Sequence, residues 1–133
     1  QFLNLNLNRH YQGHLFRAAL EGIAFSFAYG MEIMQEDTLE IEIVRTGNDN
    51  LFQSSIFATT VASLIGQPIE IYNTTGAIGA ARAAAVNEGG LEAFSEKTAS
   101  IDFMGEILPQ KNKSAYQRAY ENWKIELENQ LNK

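Results

Sequence analysis

Two short runs constrain this chain more than anything else in it. Residues 39–45, LEIEIVR, and residues 69–72, IEIY, alternate with period two and carry β-branched side chains, the pattern of strands. Each is followed by a polar turn and then by residues with helical periodicity. After the first comes TGNDNLFQS, dense in turn formers, and then a helix over 54–65. Ser54 suits its N-cap, and Phe57, Val61, Leu64 and Ile65 form its apolar face. Gly66 stands where a C-terminal glycine belongs, and Pro68 stops the helix. After the second run come a turn at 73–75 and a helix over 76–88, ended by Gly89 and Gly90. Strand, loop, helix, strand, turn, helix is the alternation of an α/β fold.

The flanks add helices. Residues 1–8 alternate apolar and polar and read as a short extended segment or loop edge. From about residue 12 to 35, Leu15, Ala19, Ile23, Phe27, Met31 and Met34 recur at steps of four and three, the stripe of a long amphipathic helix. Phe16, Leu20 and Ala24 widen the stripe, so burial on more than one side is expected. Gly22 and Gly30 lie inside this helix and read as close-packing positions, because glycine there costs about 1 kcal/mol against alanine. Residues 91–97 read as a short helix, 100–108 as a strand or extended connection, and Pro109 as the opening of a last helix. In that helix Tyr116, Tyr120, Trp123, Leu127 and Gln130 make an aromatic docking stripe. The whole, residues 1–133, is expected to be a single domain.

Composition excludes several function classes. With 45% hydrophobic residues, eight Phe, five Tyr and one Trp, the chain can bury a core. Its net charge of −6 offers no basic stripe for phosphate backbones, so nucleic acid is not an expected partner. The same charge disfavours anionic membranes, and no apolar run approaches the ~20 residues needed to cross a bilayer. There is no cysteine, which removes disulfides, zinc–thiolate sites and cysteine nucleophiles, and suits the cytoplasm. The first residues, QFLNLNLN, read as the middle of a longer protein.

Several constellations carry two readings each. The TGNDN loop is either an ordinary polar turn or a ligand loop. Gly47 removes a side chain and permits positive φ, Asn48, Asp49 and Asn50 supply short polar groups, and the following helix offers N–H groups to an anion. Gly76-Ala-Ile-Gly79-Ala80-Ala81 is a smooth ridge, built either for tight helix packing or for a nearby nucleotide loop. No Walker pattern and no complete Gly-x-Gly-x-x-Gly occurs. His10 and His14 could share a metal or be locally bonded. Arg17 and Glu21 form either an intrahelical ion pair or a buried structural one. Glu40 and Glu42 share a strand face near Asp37, as a carboxylate pair or a solvated face.

Taken in order, HLFRAALEGIAFSFAYGMEIM, GNDNLFQSSIF and IGQPIEIYNTTGAIGAARAAA resemble the C-terminal half of the FGGY carbohydrate kinases, and among them the xylulose kinases. The resemblance spans nearly the whole chain and is strongest over residues 8–90. It implies the C-terminal half of an actin-like ATPase (ribonuclease-H-like) domain, with a long N-terminal helix, a strand-loop-helix-strand-helix unit and a C-terminal helix. It also implies transfer of the ATP γ-phosphoryl group to the terminal hydroxyl of a ketose, here D-xylulose to D-xylulose 5-phosphate. Other members of the family act on glycerol, ribulose, fuculose or gluconate.

Residue by residue, Gly47 matches the family's glycine-rich adenosine turn, and Ser54-Ser55-Ile56-Phe57 match its helix start. Asn48 and Asp49 replace glycines, and Asn50-Leu51-Phe52-Gln53 lengthen the loop. The resemblance therefore implies ATP or ADP contact at Gly47, Asn48, Asp49, Asn50, Phe52 and Ser54, and through the N–H of Gly76. Gly76 through Ala81 match the family's small-residue helix, which packs on the adenosine loop. Arg17, Ala18, Leu20, Glu21 and Gly22 match an architectural motif. The family's phosphate-binding loop, sugar-binding residues and catalytic aspartate belong to an N-terminal part. That places Mg²⁺ mainly with the other part, and it implies a chain inactive alone whose partners are that part and, through it, the sugar. The rival reading is a non-catalytic interaction module that pairs with a second copy through the apolar surface left open.

Overall fold

A computed structural model describes residues 2–36, 43–84 and 102–132. The expected short helix at 91–97, residues 37–42 with Asp37, Glu40 and Glu42, and the end of the alanine helix at 85–88 lie outside the described residues.

The two sequence runs form a parallel pair. β1 (Val44–Gly47) lies beside β2 (Ile69–Tyr72) with Val44 opposite Ile69 and Gly47 opposite Tyr72. Parallel neighbours need a crossover, and here it consists of a 3₁₀ turn (Asn50–Gln53) and helix α2 (Ser55–Ile65). The first strand was expected to end at residue 45. It continues through Thr46 and Gly47 because Ile71 and Tyr72 offer ladder partners there. A third strand, β3 (Phe103–Ile107), adds antiparallel to β2 with an irregularity at Ile71/Tyr72, so the order is β1-β2-β3.

α2 is delimited by local chemistry. Ser54 Oγ accepts from the Phe57 N–H at 3.4 Å, and Gly66 closes the helix in the left-handed conformation at φ 77°. Phe57 and Val61 are buried as expected, with Ala62 beside them. Two hydroxyls in this helix are also buried, and both are satisfied. Thr60 donates to the Ile56 carbonyl, and Ser63 donates to Thr59 while accepting from the Gln110 N–H at 3.0 Å.

The long helix α1 (Gln12–Glu36) departs in part from the expected stripe. Met31 of that stripe and Ala24 of its widening are buried as expected, together with Phe25 and Ala28, whereas Ile23, Phe27 and Met34 are 42–48% exposed. The reason is steric. Ala24 enters a core of Phe57, Val61, Ala62, Ile69 and Ile71, where α1 and α2 meet over one face of the sheet. Ala24 permits that close approach, and Ile23, Phe27 and Met34 lie on the more exposed side. The glycines are not the close-packing positions. A Cβ at Gly22 or Gly30 would meet no described atom within 4 Å.

The last helix, α4 (Lys113–Leu131), begins four residues later than Pro109. The intervening segment is held by Gln110 on Ser63 and by Lys113 Nζ on the Gly66 carbonyl. Its aromatic stripe docks as expected. Tyr120 is buried with Phe25 and Ala28 in a second core cluster, and Trp123, Tyr29 and Leu64 pack around it. The Tyr120 hydroxyl donates to Glu32 Oε2 at 2.5 Å, and Lys124 Nζ lies 3.1 Å from Glu32 Oε1 and 4.8 Å from the Tyr120 ring centre. The hydroxyl, followed by Lys124, holds the Glu32 carboxyl below its ordinary value, while burial pushes the Tyr120 phenol well above its own.

This latch predicts a pH signature. A carboxyl lowered by folding contributes stability that is present above its ordinary value of 4.5 and is lost as pH falls through the folded value. Glu32→Gln should therefore cost about 1 kcal/mol at neutral pH, a figure already discounted for the partial exposure of Glu32. In urea denaturation the gap between wild type and variant should close as pH is taken below 4.5. A gap that stays constant across the series would contradict this assignment.

Candidate functional site

Because β1 and β2 are parallel, the segments that follow them leave from the same edge of the sheet. The crevice outside the carboxyl ends of parallel strands is where α/β folds bind ligands. Here that edge carries residues 48–54 and the turn 73–75 leading into α3 (Gly76–Ala84).

Gly47 is the last residue of β1 and holds the two segments together. Of the two reasons the sequence offers for this glycine, a missing side chain and freedom for positive φ, the first applies: Gly47 is not among the residues of positive φ, and its requirement is space. A Cβ here would overlap the Thr74 carbonyl oxygen and stand 3.0 Å from the Thr74 carbonyl carbon. The Tyr72 carbonyl accepts from the N–H groups of both Asn48 and Thr74, each at 2.8 Å. One carbonyl thus fixes the start of both segments.

The loop is a closed turn. Asn50 adopts φ 50°, a conformation that asparagine tolerates better than most residues. The Asp49 carbonyl accepts from Phe52 N–H at 3.2 Å, and that of Leu51 from Ser54 N–H at 2.9 Å. Gln53 Nε2 donates to the Asn48 carbonyl at 3.1 Å and closes the ring. Asn48 and Asn50 are exposed, whereas Asp49, Phe52 and Ser54 are half-buried. The Phe52 ring packs edge-on to Phe57, with centres 5.2 Å apart.

Gly76 opens α3 beside this loop. Thr75 caps the helix, its Oγ1 accepting from Ile78 N–H at 3.3 Å and its carbonyl from Gly79 N–H at 2.9 Å. The N–H groups of Gly76 and Ala77 stay outside the helical ladder. The expected packing of the small-residue ridge on the loop is not present. Residues 76–78 are exposed, and a Cβ at Gly76 or Gly79 would meet no described atom within 4 Å. The close approach occurs earlier, where the Thr74 backbone meets Gly47.

Sequence reasoning missed Tyr72, Thr74 and Gln53. The available signal was positional, since Tyr72 and Thr74 flank the end of β2. Tyr72 is buried against Phe103, ring centres 5.7 Å apart, and its hydroxyl donates to Glu70, which pairs with Arg45 Nε at 2.9 Å. The hydroxyl, then Arg45, keeps Glu70 below the usual carboxylate range; burial, then Glu70, raises the Tyr72 phenol. This network immobilises the residue whose carbonyl anchors both segments.

The remaining candidates resolve into local structure. Nδ1 of His10 accepts from Asn6 N–H and Nδ1 of His14 from Tyr11 N–H, both at 3.1 Å. Arg17 and Glu21 pair at 2.8 Å on the surface. Among the described residues no three His, Asp or Glu side chains converge as a metal site. Residues 48–54, the turn 73–75 and the start of α3 form a ledge at the strand ends, and Asp49 is the one titratable side chain of residues 48–54. A cavity of about 260 Å³ opens around the start of α1, and one of about 430 Å³ between Arg17, Glu21 and Phe25 of α1 and the start of α4; no residue of the ledge lines either. No helix among the described residues is long and apolar enough to cross a membrane.

Comparison with known proteins bears on the family of the chain. The model of the FGGY family of carbohydrate kinases, C-terminal domain, matches residues 2–88, which include the entire ledge. Among solved structures, the xylulose kinase from Rhodospirillum rubrum superposes with a TM-score of 0.72 at 25% sequence identity, covering 94% of this chain. The chain spans 26% of the length of that kinase. No curated protein sequence matches.

The geometry predicts an asymmetry between two glycines. Gly47→Ala should destabilise the chain by roughly 2 kcal/mol or more, because backbone must move to admit one methyl group. Gly76→Ala, which meets open space, should stay within about 0.5 kcal/mol of wild type. Equal urea midpoints for wild type and Gly47→Ala would show that the Thr74 contact is not a constraint.

Proposed function

Since the chain belongs to the FGGY family of carbohydrate kinases, we propose that its ledge is the nucleoside side of an ATP site in a sugar kinase. D-xylulose is the acceptor this reading favours. The observation that carries it is the pinning of an exposed polar loop against the start of α3 by Gly47, at the carboxyl ends of two parallel strands. A base and ribose laid on this ledge would meet the amides of Asn48 and Asn50 and the backbone of the closed turn. The N–H groups of Gly76 and Ala77 would face the phosphate end, and Asp49 is the nearest carboxylate of the loop. When bound, ATP would supply the phosphoryl group and Mg²⁺ would offset the charge of its phosphates. The role of these residues is to hold and orient the nucleoside.

Phosphoryl transfer depends on positioning donor and acceptor together. In this reading the sugar supplies the acceptor hydroxyl, while the site that binds the sugar, the Mg²⁺ ligands and the catalytic base come from the N-terminal part of the same kinase, and the chain alone does not phosphorylate sugar. Its location is cytoplasmic. The exposed stripe of Phe16, Ile23, Phe27 and Met34 on α1 favours docking of that part.

The test is calorimetric titration of the chain with ADP and Mg²⁺, with GDP as control. Saturable binding selective for ADP is the expected result. Equal binding of both nucleotides would remove the adenosine assignment, and ketose phosphorylation by the chain alone would overturn the division of roles.

A further inference from the structure

Of the four residues in the 3₁₀ turn, Asn50, Leu51 and Gln53 are exposed and Phe52 alone is half-buried. The turn is therefore tied to the body of the protein through one ring. That ring has two walls. One is Phe57, fully in the core at 2% exposure. The other is Phe27, which belongs to α1 and is 25 residues away in sequence. Phe27 and Phe52 have centres 5.9 Å apart at 83°, Phe27 and Phe57 6.1 Å apart at 73°, and Phe52 and Phe57 5.2 Å apart at 84°. All three pairs are near-perpendicular, the edge-to-face arrangement that aromatic quadrupoles favour.

Phe27 is 42% exposed, so core burial does not account for its place. Its inner edge completes the Phe52 pocket. The turn it supports contains a non-glycine residue at positive φ, a conformation that persists where the surroundings hold it. Asn48, Asp49 and Asn50 precede Phe52 by four to two residues in the same closed turn, and a shift of Phe52 would carry them with it.

We propose that Phe27 is a positioning residue for the nucleotide: through Phe52 it sets the placement of the 48–53 loop, and so couples α1 to adenine-nucleotide affinity. This rests on the reading of the ledge as a nucleoside site. It concerns a residue that touches no ligand in that reading.

Two readouts separate the proposal from the site assignment. Amide hydrogen exchange at Phe52 and Ser54 reports loop placement without nucleotide, and ADP titration with Mg²⁺ reports binding. Phe27→Leu keeps apolar volume while removing the ring edge, Phe27→Tyr keeps the ring, and Ile23→Ala serves as a control one turn earlier on the same exposed face. Phe27→Leu should speed exchange at both amides and weaken ADP binding about fivefold, the worth of the Phe27–Phe52 pair that bears on the loop. Phe27→Tyr should restore both, and Ile23→Ala should change neither. Unchanged exchange in Phe27→Leu overturns the positioning role whatever ADP does. Faster exchange with unchanged ADP affinity overturns the coupling to nucleotide while the site reading stands. A wild-type chain that binds no ADP overturns the site reading, and with it the role of Phe27, even if exchange shows that the ring holds the loop.

Discussion

The parallel pairing of β1 and β2 is the constraint on which the rest depends. It sends two connections out of the same sheet edge, and the Gly47–Thr74 contact closes the distance between them until only a hydrogen fits. Everything on the ledge follows from that closure. The Tyr72 carbonyl can serve both segments because they leave side by side. The loop can be short and closed because α2 starts at once behind it, with Ser54 both ending the 3₁₀ turn and capping the helix. A side chain at residue 47 would separate the segments and undo both arrangements.

What was legible in the sequence was what is decided locally. Ser54, Gly66 and Pro68 delimit α2 because capping and left-handed closure involve residues within one turn of each other. The strands were recognisable by alternation, and the aromatic stripe of α4 by its period, which holds from Tyr116 through Leu127. The family resemblance gave the place of the loop.

The facing of α1 was not legible, for a physical reason. The helix is apolar on two sides, with alanines toward α2 and Ile23, Phe27 and Met34 outward. Periodicity counts hydrophobic residues and is blind to which of two stripes a neighbour can approach more closely. The size of the side chains decides that, and Ala24 admits α2 where a phenylalanine would not. The same blindness affected the glycines. The sequence offers both backbone freedom and a missing side chain as reasons for Gly47, and the contact with Thr74 selects the second. Gly22 and Gly30 were read as room, yet they face none of the described atoms. A glycine announces that a side chain is unwelcome or a conformation unusual, and tertiary contact alone says which.

The outward stripe of α1 bears on how the molecule is organised. Phe16, Ile23, Phe27 and Met34 follow one another at steps of seven, four and seven, which places them along one line of the helix. Their exposure is a cost that a helix facing only water would shed by substitution with polar residues, since isolated helices gain little from outward apolar groups. Phe27 shows how such a residue can serve both sides, one edge against Phe52 and Phe57 and the other open. Anything seated on that stripe presses on the same ring that fixes the 48–53 loop. The apolar surface of α1 and the polar ledge at the strand ends are consequently one mechanical unit, joined through three phenyl rings.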